Sequence, residues 1–249
     1  MTKKKKINLD IDTKYNVNSK FIIINKNLMR APFYLSIVGG KASGKTLLIA
    51  NIVHKYKKVY DDGDIYIFTN SYVPTLYNLQ KTRGAHIFNS NYDKFGHCIL
   101  SQILQHQKEE KTEDYKNLKH VLIIFDDYIT NNALNERRGI FSTLWSMARN
   151  FNISLIISSQ EFKLIPAPLR KMSDYYIIYK IKNTKEKEDM INECNNFLDE
   201  KEFEKVYNHA VKEKYNFLFS MIDENRFLKN FKEELANEKN GIVIKDEIL

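Results

Sequence analysis

The stretch Gly39-Gly40-Lys41-Ala42-Ser43-Gly44-Lys45-Thr46 constrains this chain more than any other. It meets the pattern G-x-x-x-x-G-K-[ST] at every fixed position. An apolar run, Phe33-Tyr34-Leu35-Ser36-Ile37-Val38, leads into it, and Leu47-Leu48-Ile49-Ala50-Asn51-Ile52-Val53 follows with a helical pattern. Strand, glycine-rich loop and helix together make a phosphate cradle. The loop turns its N–H groups inward, and the helix beginning near Gly44 adds its partly positive N-terminus. Lys45 is then placed to reach the β- and γ-phosphates of ATP, and the Thr46 hydroxyl to ligate Mg²⁺. The chain has 8 glycines, and three lie in this loop. So local a concentration in a glycine-poor sequence has a local cause, the backbone freedom a phosphate loop needs.

A second signal lies downstream. His120-Val121-Leu122-Ile123-Ile124-Phe125-Asp126-Asp127 has five consecutive apolar residues followed by acids. This describes a strand buried on both faces that ends at a site. Ile153-Ser154-Leu155-Ile156-Ile157-Ser158-Ser159-Gln160 is another buried strand with a polar end. Strands alternate with helical stretches, which predicts an α/β fold with a mainly parallel central sheet. Ligands in such folds lie outside the carboxyl ends of the strands. The loop at 39–46, the Asp126-Asp127 pair and Gln160 are therefore expected to converge on one crevice. Asp126 is the carboxylate expected on Mg²⁺. Asp127 is expected to orient the attacking water or accept its proton, and Gln160 to sense the γ-phosphate or position water. An arginine commonly neutralises charge on a transferring phosphoryl group. Arg137, Arg138, Arg149 and Arg170 are candidates, with Arg149 and Arg170 preferred for their places before the Gln160 strand and after the Pro166/Pro168 connection.

The remaining elements read more faintly. Phe21–Ile24 is a short strand or packing segment. Asp61-Asp62-Gly63-Asp64 reads as a turn before a strand at 65–68, and 72–83 as a loop with a helical turn near Leu76 and Leu79. A helix is expected around Ile99 to Gln107, then a solvated loop at 108–114. An amphipathic helix is expected over 134–150, strands over 175–179 and 217–222, and helix over 185–214. Residues 1–20 read as a basic, flexible tail, 21–228 as the ATPase domain, and 229–249 as a charged tail, helical and then disordered.

Composition narrows the classes. At 249 residues, with 43% hydrophobic and 12% aromatic content, the chain can bury a substantial core. Its two cysteines, Cys98 and Cys194, stand outside any metal-binding or redox spacing. The longest apolar runs fall short of the roughly 20 residues of a membrane span. The lysines at 3–6 are not followed by the apolar region of a signal peptide. The chain reads as soluble and intracellular. A formal net charge of +8 favours polyanionic partners.

The combination resembles a known family. The P-loop is followed by Phe125-Asp126-Asp127. Ala148-Arg149-Asn150-Phe151-Asn152-Ile153-Ser154 then leads to Ser158-Ser159-Gln160, Ile165-Pro166 and Leu169-Arg170. The series is similar to the viral genome-packaging ATPases of the FtsK–HerA superfamily, in particular the poxvirus-type enzymes of large DNA viruses and virophages. It covers roughly 33–222. The resemblance implies a P-loop NTPase of the additional-strand (ASCE) class with helices on both faces of its sheet. It implies ATP hydrolysis that drives double-stranded DNA into a preformed capsid, a homo-oligomeric ring, and an arginine supplied by a neighbouring subunit. Capsid or portal-vertex proteins are the implied partners, and host cytoplasm, viral factory or virion the implied locations. Two positions depart from the pattern: Asp127 stands where relatives often carry Glu, and Asn150 where they often carry His. Two other readings of the P-loop stay open at this point, a nucleoside or nucleotide kinase and a nucleotide-binding assembly protein without turnover.

Overall fold

Apolar residues on alternate sides of each strand send this chain's core to both faces of one sheet. In the computed structural model, which describes residues 22–92, 94–96, 98–113, 118–128 and 139–244, the elements run as follows. The first half holds β1 (Ile22–Ile23), β2 (Arg30–Ala31), β3 (Tyr34–Val38), α1 (Lys45–Lys55), β4 (Tyr60–Thr69), α2 (Pro74–Arg83), β5 (His86–Phe88), α3 (Ile99–Glu113) and β6 (His120–Asp126). The second holds α4 (Ile140–Met147), β7 (Ile153–Ser159), α5 (Ala167–Met172), β8 (Tyr175–Tyr179), α6 (Thr184–Cys194), α7 (Glu200–Ala210), β9 (Phe217–Met221), β10 (Arg226–Lys229), β11 (Glu233–Asn237) and β12 (Gly241–Ile242).

Ten strands form the central sheet in the order β12-β11-β10-β9-β8-β3-β7-β6-β4-β5. Six neighbours, β5 through β8 in that order, are parallel. From β8 outward the pairing turns antiparallel. β7 lies between the P-loop strand β3 and the acid-bearing strand β6, the additional strand that the resemblance implied. Tyr34, Val38, Val121, Ile123, Phe125, Ile153, Leu155 and Ile157 pack on one face with α3, α4, α6 and α7. Leu35, Ile37, Leu122, Ile124 and Ile156 pack on the other with α1 and α2. Burial on both sides is why these strands read as unbroken apolar runs.

Several expectations are corrected. The segment at 61–64 is not a turn but the first part of β4, where pairing with β6 jumps from Tyr60–His120 to Ile65–Leu122. Gly63, with φ of +97°, absorbs that irregularity. Arg83 fixes it from below: Nε donates to Asp62 at 2.7 Å, and Nη1 and Nη2 to the carbonyls of Val53 and Tyr60 at 2.6 Å each. Residues 74–83 form a full helix with proline in its first turn. Residues 108–113 continue α3 instead of forming a loop. Gln107, buried, donates to the carbonyls of Lys119 and Phe151, and Lys111 to that of Asn150, so the far end of the helix is tied to the sheet. The helical stretch at 185–214 is two helices, the second begun by an Asp199/Glu202 capping box.

The tail expected from 229 is corrected as well. Residues 226–229, 233–237 and 241–242 are strands that extend the sheet. Phe227, Leu228, Leu235 and Ala236 are fully buried. Each new strand covers the open hydrogen-bonding edge of the one before it. Residues 1–20, the lysines at 3–6, Arg137, Arg138 and the first part of the helix expected from 134 lie outside the described residues.

Arg83→Ala is expected to cost about 3 kcal/mol, because it leaves two buried carbonyls without donors. Asp62→Ala should cost under about 1 kcal/mol, since that carboxylate is 70% exposed. Denaturant unfolding of both variants checks this; equal costs would show that the ion pair, not the carbonyl bonds, carries Arg83's contribution.

Candidate nucleotide-binding site

The site sits where β3, β6 and β7 end together. Register places Val38 beside Ser159, and Asp126 beside Ser158. From β3 the chain enters the P-loop and then α1. Gly44 has φ of +103°, a conformation glycine tolerates and L-residues rarely adopt. A methyl group at Gly39 would come within 2.8 Å of Tyr179 Cβ, so only glycine fits there. The Gly39 N–H donates to the Ser159 carbonyl at 3.1 Å, which ties the loop to β7. Lys41 and Gly40 lie exposed on the loop, and Ala42 takes a left-handed φ of 61°. Ser43 Oγ is buried in the loop without a hydrogen-bond partner.

Lys45 is 5% exposed. Its Nζ donates to the Gly39 carbonyl at 2.7 Å and lies 3.9 Å from Asp127 Oδ1. The Thr46 hydroxyl donates to Asp126 Oδ2 at 3.0 Å, and the Ser158 hydroxyl to Asp126 Oδ1 at 2.5 Å. Asp126 is only 2% exposed. Burial pushes its carboxyl above the usual range; the bonds from Ser158 and Thr46 pull it back, the Asp127 charge raises it, and Lys45 lowers it. The chain then bends sharply. Asp127 takes a left-handed φ of 47°, and its N–H donates to Ser158 Oγ at 3.1 Å. This turn brings its carboxylate out of the sheet and into reach of Gln160, whose amide donates to Asp127 Oδ2 at 3.3 Å.

The structure therefore brings together Lys45, Thr46, Asp126, Asp127 and Gln160. Ser158 is the member that sequence reasoning missed. Its signal was present, a hydroxyl two residues before Gln160 at the polar end of a largely apolar strand, but only the register shows which carboxylate it holds.

The two arginines separate. Arg149 lies in a short helical turn at 148–151 that precedes β7, so it sits at the opposite end of the parallel strands from the P-loop. Its guanidinium stacks 4.4 Å from the Tyr34 ring centroid and pairs with Asp174, and it is 38% exposed. Burial pushes the Asp174 carboxyl up to about 6 despite that pairing. Arg170 is 8% exposed. Its Nε and Nη2 hold both Glu193 oxygens, at 2.6 and 3.1 Å, while Nη1 donates to the Ile165 carbonyl and the group stacks on Phe162. Partial burial raises the Glu193 carboxyl, but bonds from Arg170 and Lys163 hold it below the usual range. Arg170 braces α5 against α6 and is not brought to the P-loop.

Among the described residues, no helix is long and apolar enough to cross a membrane, and no cluster of three or more His, Cys, Asp or Glu side chains forms a separate metal site.

Comparison with known proteins bears on the family and the fold. The DNA packaging protein OPG160 of Variola virus is 28% identical over 160 residues, 57% of this chain and 51% of that protein. OPG160 of Vaccinia virus (strain Copenhagen) is 28% identical over 158 residues, covering 57% and 50%. The chain thus spans about half the length of the curated relatives it matches. In fold it is similar to B204, the DNA-packaging ATPase from Sulfolobus Turreted Icosahedral Virus, with a TM-score of 0.56 at 15% identity over 81% of this chain and 98% of that one. B204 from Sulfolobus turreted icosahedral virus 2 in complex with AMPPCP gives a TM-score of 0.52 at 16% identity, over 79% and 96%. The model of the Poxvirus A32 protein family matches residues 19–229, and the chain, with its P-loop, its buried acid and its additional strand, belongs to that family.

Proposed function

We propose that this chain is an ATP-hydrolysing motor subunit that moves double-stranded DNA into a viral capsid. The observation that carries the reading is the convergence of Lys45, the Thr46–Asp126 pair and the Asp127–Gln160 pair at three adjacent strand ends. Membership of the Poxvirus A32 protein family, whose relatives are named DNA packaging proteins, supports it.

The parts have distinct tasks. The P-loop backbone, the unpartnered Ser43 hydroxyl and Lys45 hold the β- and γ-phosphates of ATP; Lys45 exchanges the Gly39 carbonyl for phosphate oxygen. Thr46 and Asp126 offer the hard oxygen donors that suit Mg²⁺ and already touch each other, so the residues fit that ion. Bound there, Mg²⁺ neutralises charge on the phosphate oxygens. Ser158 keeps the Asp126 carboxylate aimed, since a buried carboxylate without partners is costly. Asp127 is the group that orients the attacking water and takes its proton. The Gln160 amide holds one Asp127 oxygen, which leaves the other beside Lys45. A carboxylate one methylene shorter than Glu reaches outward because its own backbone bends at φ of 47°.

Arg149 cannot serve its own P-loop from the far end of the strands. It is part-exposed there, as a group acting on a neighbouring subunit's nucleotide in a ring would be. The net charge of +8 suits a channel that grips DNA phosphates. Capsid or portal-vertex proteins are the further partners, in a host cytoplasmic or viral-factory setting.

ATP turnover is expected to rise with added double-stranded DNA and to vanish in Lys45→Ala. Binding of ATP without turnover, with or without DNA, would overturn the motor reading in favour of a nucleotide-held assembly; phosphate transfer to a nucleoside would identify a kinase instead. Arg149→Ala alone is expected to lower turnover by about 10³-fold. Mixed with Lys45→Ala subunits, it should regain part of the activity, because an intact P-loop then meets an intact arginine wherever the two variants are neighbours in the right order. Mixtures as inactive as their components would remove Arg149 from the neighbour's site.

A further inference from the structure

The P-loop, Asp126, Asp127 and Gln160 account for the phosphates and the water, but none of them meets the base of a nucleotide. We propose that Tyr215 is the platform on which the base stacks. This rests on the nucleotide reading of the P-loop and extends it to the other end of the ligand.

Tyr215 lies in the turn between α7 and β9, and that turn passes over the phosphate loop. A methyl group at Gly44 would come within 3.6 Å of Tyr215 Cδ1 and 3.8 Å of the Tyr179 hydroxyl. The ring is 58% exposed, unlike Tyr179 beside it, which is buried. An exposed aromatic next to a phosphate site is the group a base would use, because every base offers a π-face and stacking tolerates its identity. The ring already attracts one cation, Lys214 Nζ, at 4.7 Å from its centroid. A purine arriving there displaces or shares the ring with a single solvated lysine.

The backbone strengthens the case. Tyr215 has φ of 70°, unusual for a bulky residue. The surrounding bonds over-determine that conformation. Asn216 donates from its side chain to Glu213 Oε2 at 2.9 Å, and Asn230 Nδ2 to Asn216 Oδ1 at 2.7 Å. The Phe217 N–H donates to Asn230 Oδ1 at 3.0 Å. An aromatic ring held outward by a braced, strained turn is costly unless something uses its position. Space is present too. A cleft of about 500 Å³ opens between α1, the start of β9 and the β10–β11 connection. Leu48, one turn along α1 from Gly44, and Phe217, two residues from Tyr215, both line it. Base and sugar leaving the P-loop past Gly44 would meet the Tyr215 ring.

The test is calorimetric titration of the full chain with ATP and, separately, with inorganic tripolyphosphate, which carries the phosphates alone. Tyr215→Ala is expected to weaken ATP about 10-fold and leave tripolyphosphate unchanged, while Tyr215→Phe keeps wild-type affinity for both. An equal loss of both ligands in Tyr215→Ala would show that the turn merely supports the P-loop, and would overturn the proposal. Unchanged ATP affinity would overturn it as well. If the wild-type chain bound tripolyphosphate and ATP equally, stacking would be excluded with the P-loop reading intact. If it bound neither, the nucleotide reading itself would fall.

Discussion

A buried carboxylate with two hydroxyl donors sits at the centre of this molecule. Asp126 is almost wholly removed from water, and it is held by Thr46 from the start of α1 and by Ser158 from β7. Leaving such a group unpartnered would cost several kcal/mol. That cost makes the register of three strands interdependent. β6 must end level with the P-loop, and β7 must lie between β3 and β6 with Ser158 at the same height. A slip of one residue in any of them would turn the carboxylate away from its donors and reverse the faces of the strand.

The same arrangement explains why chemistry gathers at one end of the sheet and bracing at the other. At the carboxyl ends, polar groups are packed closely and partly exposed, with Asp127 and Gln160 projecting beyond the last paired residues. At the amino ends, Arg149 stacks on Tyr34 and pairs with Asp174, while Tyr34 donates its hydroxyl proton to the Trp145 carbonyl. Arg149 braces its own chain and remains part-exposed. Arg170 has a single setting, with both Glu193 oxygens and a backbone carbonyl occupying its guanidinium. The difference in burial between them, 38% against 8%, separates two residues that looked equivalent in sequence.

The antiparallel extension from β9 to β12 serves the site in a less direct way. It widens the sheet beyond β8 and carries the turn that places Tyr215 over Gly44. Asn230, at the end of the β9–β10 hairpin, holds that turn through Asn216 and Phe217. Residues far along the chain thus shape the mouth of a site whose motif lies at 39–46.

Local chemistry was legible in the residues alone. The P-loop, the acids ending β6 and the polar end of β7 each announce themselves within eight positions, because phosphate cradles and buried strands impose their composition on contiguous residues. The alternation of strands and helices likewise disclosed a mainly parallel sheet. What stayed hidden depends on partners distant in sequence. The acidic stretch at 61–64 reads as a turn until β6 and Arg83 are beside it. The strands past 229 are hidden among lysines and glutamates, since only Leu235 and Ala236 face inward in β11. Ser158 is an ordinary hydroxyl until register sets it against Asp126. Composition and spacing specify which groups can bind and react; only the tertiary structure decides which of them meet, because contact, burial and charge partners are made between strands and helices that the sequence keeps far apart.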